Sequence, residues 1–120
     1  MKILLSLLFL NLSILTLDSG PVNWVGETTV DTGDIAYGED YVHRFQFVNL
    51  TGEPLLIDNV RVGCGCTATD WAEAPVMPGD TGTVVVTYDA MSGGYFRKYA
   101  KVYFNGHKGG HKLWLEGFVE

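Results

Sequence analysis

The chain has 120 residues, with 14 acidic against 8 basic side chains and a formal net charge of −6. That length holds one domain of ordinary size, and the acidic balance argues against nucleic acid or an anionic lipid surface as a partner bound through charge. Of its 13 Leu, 8 precede residue 18, whereas all 13 Val follow residue 21 along with most of the Gly and aromatics, so a helical bundle is excluded for that later part.

Met1-Lys2 leads into Ile3 to Leu17, a stretch without charge, and then into Asp18-Ser19-Gly20-Pro21. A basic residue, an apolar run and small residues before a Pro form the pattern of a cleavable signal peptide, here residues 1–20. As a helix the run spans about 22 Å, short of the roughly 30 Å hydrocarbon core, so no stable membrane anchor is expected after cleavage. The expected product is an exported domain, residues 21–120, periplasmic or secreted.

Beyond the leader, short β-type runs alternate with Gly, Pro, Asn and Asp punctuation. Thr28 to Thr32 is the first run, closed by Gly33-Asp34. Tyr41 to Val48 sets Tyr41, His43, Phe45 and Phe47 on one face. Leu55 to Val62 follows a turn, and Cys64 to Thr69 reads as its continuation past a kink at Gly63. Pro78-Gly79-Asp80 centres a loop over 75–82. Thr83 to Tyr88 places Val84, Val86 and Tyr88 on one side. Phe96 to Phe104 turns Phe96, Ala100, Val102 and Phe104 inward and Arg97, Tyr99, Lys101 and Tyr103 outward. His111 to Val119 alternates Leu113, Leu115, Gly117 and Val119 with Lys112, Trp114, Glu116 and Phe118. Strands with one apolar face each require two sheets packed face to face. The expected fold is all-β: an immunoglobulin-like two-sheet antiparallel β-sandwich of about seven strands.

Gly63-Cys64-Gly65-Cys66-Thr67, Pro78-Gly79-Asp80-Thr81-Gly82, Val84-Val85-Val86-Thr87-Tyr88-Asp89 and the terminal Leu113-Trp114-Leu115-Glu116-Gly117-Phe118-Val119 occur in this order. Together they resemble the bacterial family known as domain of unknown function 1573, over roughly residues 27–120. The resemblance implies a secreted or periplasmic immunoglobulin-like sandwich, related to Hydin-type domains, with no established activity. Two positions depart from the family: Asp31-Thr32-Gly33 lacks its frequent Phe, and Gly63 stands where Ser is common, which is expected to loosen the backbone beside the cysteines.

Cys64 and Cys66 admit three readings. Exported cysteines usually oxidise, and Gly65 can bend the chain enough to bring two i, i+2 sulfurs together. Alternatively both thiols stay reduced as soft ligands for copper(I) or zinc, with His43, His107 and His111 as further ligands, or they form a redox-active pair. The structural reading, a disulfide or buried pair, is favoured. Asp31, Asp34, Glu39 and Asp40 are read as a solvated acidic edge, since they lack a calcium-loop spacing. Asn49-Leu50-Thr51 matches a glycosylation sequon. No nucleophile elbow, phosphate loop or metalloprotease helix motif occurs.

Tyr99, Tyr103, Trp114 and Phe118 fall on outward faces with Arg97, Lys101 and Lys112 between them, which suggests either cross-strand packing or a contact patch. The expectation is a non-catalytic structural or protein-binding module, without cofactor, whose partner is another envelope or secreted protein. The alternative is a metal-handling or thiol-redox protein built on Cys64 and Cys66.

Overall fold

A computed structural model describes residues 20–120, so the expected signal segment lies outside the described residues except for Gly20. Eight strands follow one another: β1 (Val22–Val25), β2 (Thr29–Ile35), β3 (Tyr41–Asn49), β4 (Ile57–Val62), β5 (Thr67–Trp71), β6 (Thr81–Tyr88), β7 (Gly94–Phe104) and β8 (Gly110–Val119). They make two four-stranded sheets, ordered β1-β3-β6-β5 and β2-β8-β7-β4.

The period-2 pattern explains the layers. Phe45 and Phe47 on β3 and Val84, Val86 and Tyr88 on β6 face Phe96, Ala100, Val102 and Phe104 on β7 and Leu113, Leu115 and Val119 on β8, and all are buried. Inward side chains of both sheets thus remove one apolar face of every long strand from water, at about 25 cal/mol per Å². Phe47 sits at the centre, with ring centroids 5.4 Å from Trp24 and 5.1 Å from Phe104.

The structure differs from the sequence expectation at both open sides of the sandwich. An eighth strand, β1, precedes the seven expected. The first extended segment changes sheets: β1 pairs with β3, then the chain turns at Gly26, whose φ of 76° favours glycine, and continues as β2 against β8. Having crossed over without reversing, β2 meets β8 in parallel, so the sandwich is not wholly antiparallel. Gly33-Asp34 does not close the strand either. It forms a bulge, with Gly33 at φ 69° and its N–H donated to Asp31 Oδ1 at 2.9 Å, and β2 resumes to Ile35.

On the opposite side, β4 pairs with β7 and β5 pairs with β6. The segment Cys64 to Thr69 therefore does not continue the preceding strand; the chain leaves one sheet at Val62 and enters the other at Thr67. β7 itself runs on from Tyr99 to Gly94 past the last β4 pair, Val62 with Ala100, yet the chain leaves that edge and takes up the edge of β6 instead. The cysteines occupy this crossing.

Candidate functional site

Cys64 and Cys66 are joined in a disulfide with Cα atoms 5.2 Å apart, a turn having drawn them closer than the nearly 7 Å of an extended i, i+2 pair. The Thr67 N–H donates to the Cys64 carbonyl at 3.2 Å, and the Asp89 N–H donates to the Cys66 carbonyl at 3.0 Å, tying the crossing to the end of β6. A three-residue loop gains only about 1.5 kcal/mol in the chain-entropy account, so this bond fixes the path of the crossing more than it stabilises the domain. A recess of about 120 Å³ beside it is lined by Gly63, Cys64, Thr67, Arg97, Lys98 and Tyr99. A Cβ on Gly63 would meet Tyr99 Cε1 at 2.7 Å. Gly63 therefore makes room for the Tyr99 ring over the crossing, which is a different reason for its presence from backbone looseness.

The thiol pair that the copper or zinc alternative needs is held in that disulfide, and no histidine joins it. His43 lies on β3 against Phe45, ring centroids 4.6 Å apart. His107 lies in the exposed turn between β7 and β8. His111 accepts a hydrogen bond at Nδ1 from Trp24 Nε1, 3.1 Å away. Among the described residues no three His, Cys, Asp or Glu side chains gather as a metal site, the acidic run Asp31, Asp34, Glu39 and Asp40 included. Asn49 of the sequon is 1 % exposed, and its Nδ2 donates to the Glu53 carbonyl at 2.8 Å and the Val76 carbonyl at 2.9 Å, so the folded domain does not offer it for glycosylation.

Burial pushes His111 below its ordinary 6.5, with nearby His107 adding to the effect, and burial lowers His43 likewise. The sign follows directly: on acidification the unfolded chain takes up these protons first, so stability is complete above pH 6.5 and falls as pH drops below it, levelling off below the folded-state values. The Trp24–His111 bond weakens in the same window, because a protonated Nδ1 no longer accepts. Thermal melts are expected to show a lower Tm at pH 5.5 than at pH 7.5, and His111→Gln should flatten that dependence; an unchanged slope in the variant would remove His111 from the account.

The structure places Tyr99, Tyr103, Trp114 and Phe118 together on the outer face of the β2-β8-β7-β4 sheet. Tyr99 stands directly opposite Trp114, and Tyr95 opposite Phe118. The Tyr99 and Trp114 rings meet edge to face at 5.3 Å. Cations lie over these rings: Arg97 is 4.0 Å from the Trp114 centroid, and Lys112 is 4.9 Å from that of Tyr99. Tyr103 receives Lys101 at 5.4 Å and Arg61 at 5.5 Å. Arg97 also pairs with Glu116 at 3.3 Å, and the Tyr95 hydroxyl donates to the same carboxylate at 3.2 Å. Each exposed pair is worth under about 1 kcal/mol, but together they hold the face in one arrangement.

Two members of this face are missing from the sequence reading. Arg61 belongs to β4, and its place beside Lys101 requires the β4–β7 register. Tyr95, 69 % exposed, lies one residue before the stretch read as a strand; its period-2 spacing from Arg97 and Tyr99 was the available signal. A recess of about 620 Å³ lies elsewhere, an open groove over the other sheet bordered by Arg44, Trp71, Met77 and Asp80.

No curated protein sequence matches the chain. Among solved structures, a protein of unknown function from Porphyromonas gingivalis W83 superposes with a TM-score of 0.69 at 16% identity, over 90% of this chain and 51% of that one. The PapD-like domain 7 of human CEP192 superposes with a TM-score of 0.64 at 11% identity, over 89% and 90% of the two chains. Part of the Vibrio cholerae VesB protease does so at 0.65 and 10% identity, over 83% of this chain and 32% of the protease. This chain thus spans about half of the Porphyromonas protein and a third of the protease. At such identities the likenesses establish an immunoglobulin-like, PapD-like sandwich and nothing about activity. Residues 24–119 match the family described as protein of unknown function (DUF1573), and the chain belongs to that family.

Proposed function

We propose that the chain is an exported, non-catalytic module that docks another envelope or secreted protein on the outer face of its β2-β8-β7-β4 sheet. One observation carries the reading: the four outward aromatics share one sheet face, and cations are stacked on three of them, Tyr99, Tyr103 and Trp114. Tyr, Trp and Arg are the residues on which protein interfaces concentrate their binding energy. Side chains already held by cation–π contacts lose little further freedom when a partner arrives. The chemistry gathered here is that of recognition, rings and fixed charges, rather than a nucleophile held by a base. The leader pattern of residues 1–20 supports export.

The test is a photo-reactive side chain placed at Tyr103 or Phe118 and, as control, at Val85 on the outer face of the other sheet. A discrete adduct from the first two positions, absent at Val85 and lost on Trp114→Ala, is the expected result. The same adducts from both sheets, or none dependent on Trp114, would overturn the reading.

A further inference from the structure

Like charges directly opposite one another on neighbouring strands repel and lower stability, yet this chain sets three in one line. Arg61 on β4 faces Lys101 on β7, and Lys101 faces Lys112 on β8. With strands about 4.8 Å apart the row is about 10 Å wide. Arg97 lies on the same face, so four of the chain's eight Lys and Arg gather there although the net charge is −6. Among the described residues Arg97 has the only ion pair, with Glu116, and the three members of the row have none.

The surrounding residues hold the row up without neutralising it. Tyr103 lies beneath both Arg61 and Lys101, and Lys112 sits over Tyr99 and Trp114. The Lys101 stem lies across Gly110, where a Cβ would meet its Cε at 2.5 Å. A row that opposes folding, yet is positioned by rings and a glycine, has the form of a binding site whose complement is anionic.

We infer that Arg61, Lys101 and Lys112 bind an acidic protein segment, an extended stretch rich in Asp and Glu lying along β7 and β8. The inference rests on the docking reading above and names the partner's chemistry. Neutral sugars stack on bare ring faces, whereas Trp114 and Tyr99 are already covered by Arg97 and Lys112. An anionic bilayer presents charge to the whole face and would also press on Glu116, opposite Asp31 on β2, whereas a segment can keep its acidic residues over the row and pass Glu116 with uncharged ones. A peptide can do more. About 20 Å along the strands from the row, six residues of rise, Tyr95 and Phe118 are 69 % and 47 % exposed and offer an apolar contact to the same segment.

The probe is a fluorescein-labelled oligoglutamate of about ten residues, long enough to cross the face, read by anisotropy at about 0.02 M salt, where exposed charges are least screened. Saturable binding is expected to weaken about tenfold or more in the Arg61→Gln/Lys101→Gln/Lys112→Gln variant. It should stay within about twofold in Arg44→Glu/Lys108→Gln, which changes net charge equally but elsewhere. Relief of the repulsion should also raise the row variant's Tm by roughly 2–5 °C. Equal losses in the two variants, no saturable binding by the native protein, or tighter row-dependent binding of polygalacturonate or phosphatidylglycerol vesicles would overturn the inference. So would a lowered Tm in the row variant, since the row would then be structural. A row variant that still forms the position-103 adduct sinks acidic recognition and leaves the docking face intact; absence of that adduct in the native protein sinks the docking reading itself.

Discussion

Asn49→Asp is expected to remove about 3–4 kcal/mol of unfolding free energy, a large share of what a domain of this size possesses. Asn49 ends β3 and is 1 % exposed. Its Nδ2 donates to the carbonyls of Glu53 and Val76, and its Oδ1 accepts from the Thr51 N–H at 2.8 Å. Its own backbone N–H donates to the Asp80 carbonyl, and its carbonyl accepts from the Gly79 N–H. One residue, through side chain and backbone, therefore ties together the loops 50–54 and 76–80, which the Leu55–Val76 bridge also joins. The substitution changes almost no volume but turns two donors into an acceptor facing two carbonyl oxygens. A carboxylate there is both unpaired and repelled. Asn49→Ala merely leaves the loop groups without partners and should cost about 2–3 kcal/mol.

The two variants separate on pH. A carboxyl facing carbonyl oxygens has its folded pKa raised, so the folded state binds the extra proton and stability recovers as pH falls. Urea unfolding followed by tryptophan fluorescence should show the Asn49→Asp deficit exceeding that of Asn49→Ala at pH 7 and shrinking toward pH 4.5. A loss below about 1 kcal/mol for both variants would mean the two loops hold without this hub.

The same residue shows where sequence reading stops. Asn49-Leu50-Thr51 carries a surface motif in its letters; the alternation of Phe45 and Phe47 taken one step further turns Asn49 inward, but only the fold reveals the two loops its side chain joins. By contrast β3, β6, β7 and β8 are legible because each is half buried, so the two-residue period is written directly into Phe45 and Phe47, Val84 and Val86, Ala100 and Val102, or Leu113 and Leu115. The edges are not. A run of β-formers reads through Gly63 as readily as it stops there, and nothing local tells Thr67 that its partner is Tyr88 while Val62 pairs with Ala100. The parallel pairing of β2 follows from the crossing at Gly26, a long-range outcome of the same kind.

The contact face divides along this line. Tyr99, Tyr103, Trp114 and Phe118 could be placed outward by alternation alone. The charge row could not, because Arg61 joins Lys101 only through the β4–β7 register, which is interrupted between Ile57 and Asn59. The Lys101–Lys112 pair depends on where the β7–β8 hairpin turns within 105–109, and a shift of one residue there would put Lys112 on the core side.

Gly82→Ala is expected to cost about 2–3 kcal/mol, although it adds a single methyl at a position that reads as the tail of a turn. Gly82 lies within β6, directly opposite Phe47 on β3. A Cβ there would collide with Phe47 Cζ and lie 2.7 Å from its Cε1 and 2.8 Å from Val76 Cγ2. An aromatic ring folded over a cross-strand glycine compensates for the missing side chain, but the arrangement works in one direction only. Phe47 is 0 % exposed and wedged between Trp24 and Phe104, so the ring has nowhere to retreat. Phe47→Ala should cost about 3–5 kcal/mol by leaving a cavity at the centre of both sheets. Phe47→Leu shortens the group that Gly82 accommodates, so in that background the added methyl should be tolerated better, with a coupling of about 1 kcal/mol or more in a double-mutant cycle. Strict additivity would show that β6 can shift away from β3 and that the contact is not the constraint. The coupling also reaches the outer face. Phe47 positions Trp24, Trp24 donates to His111, and His111 lies beside Lys112 at the start of β8, so loosening the centre should blur the register on which the cationic row depends.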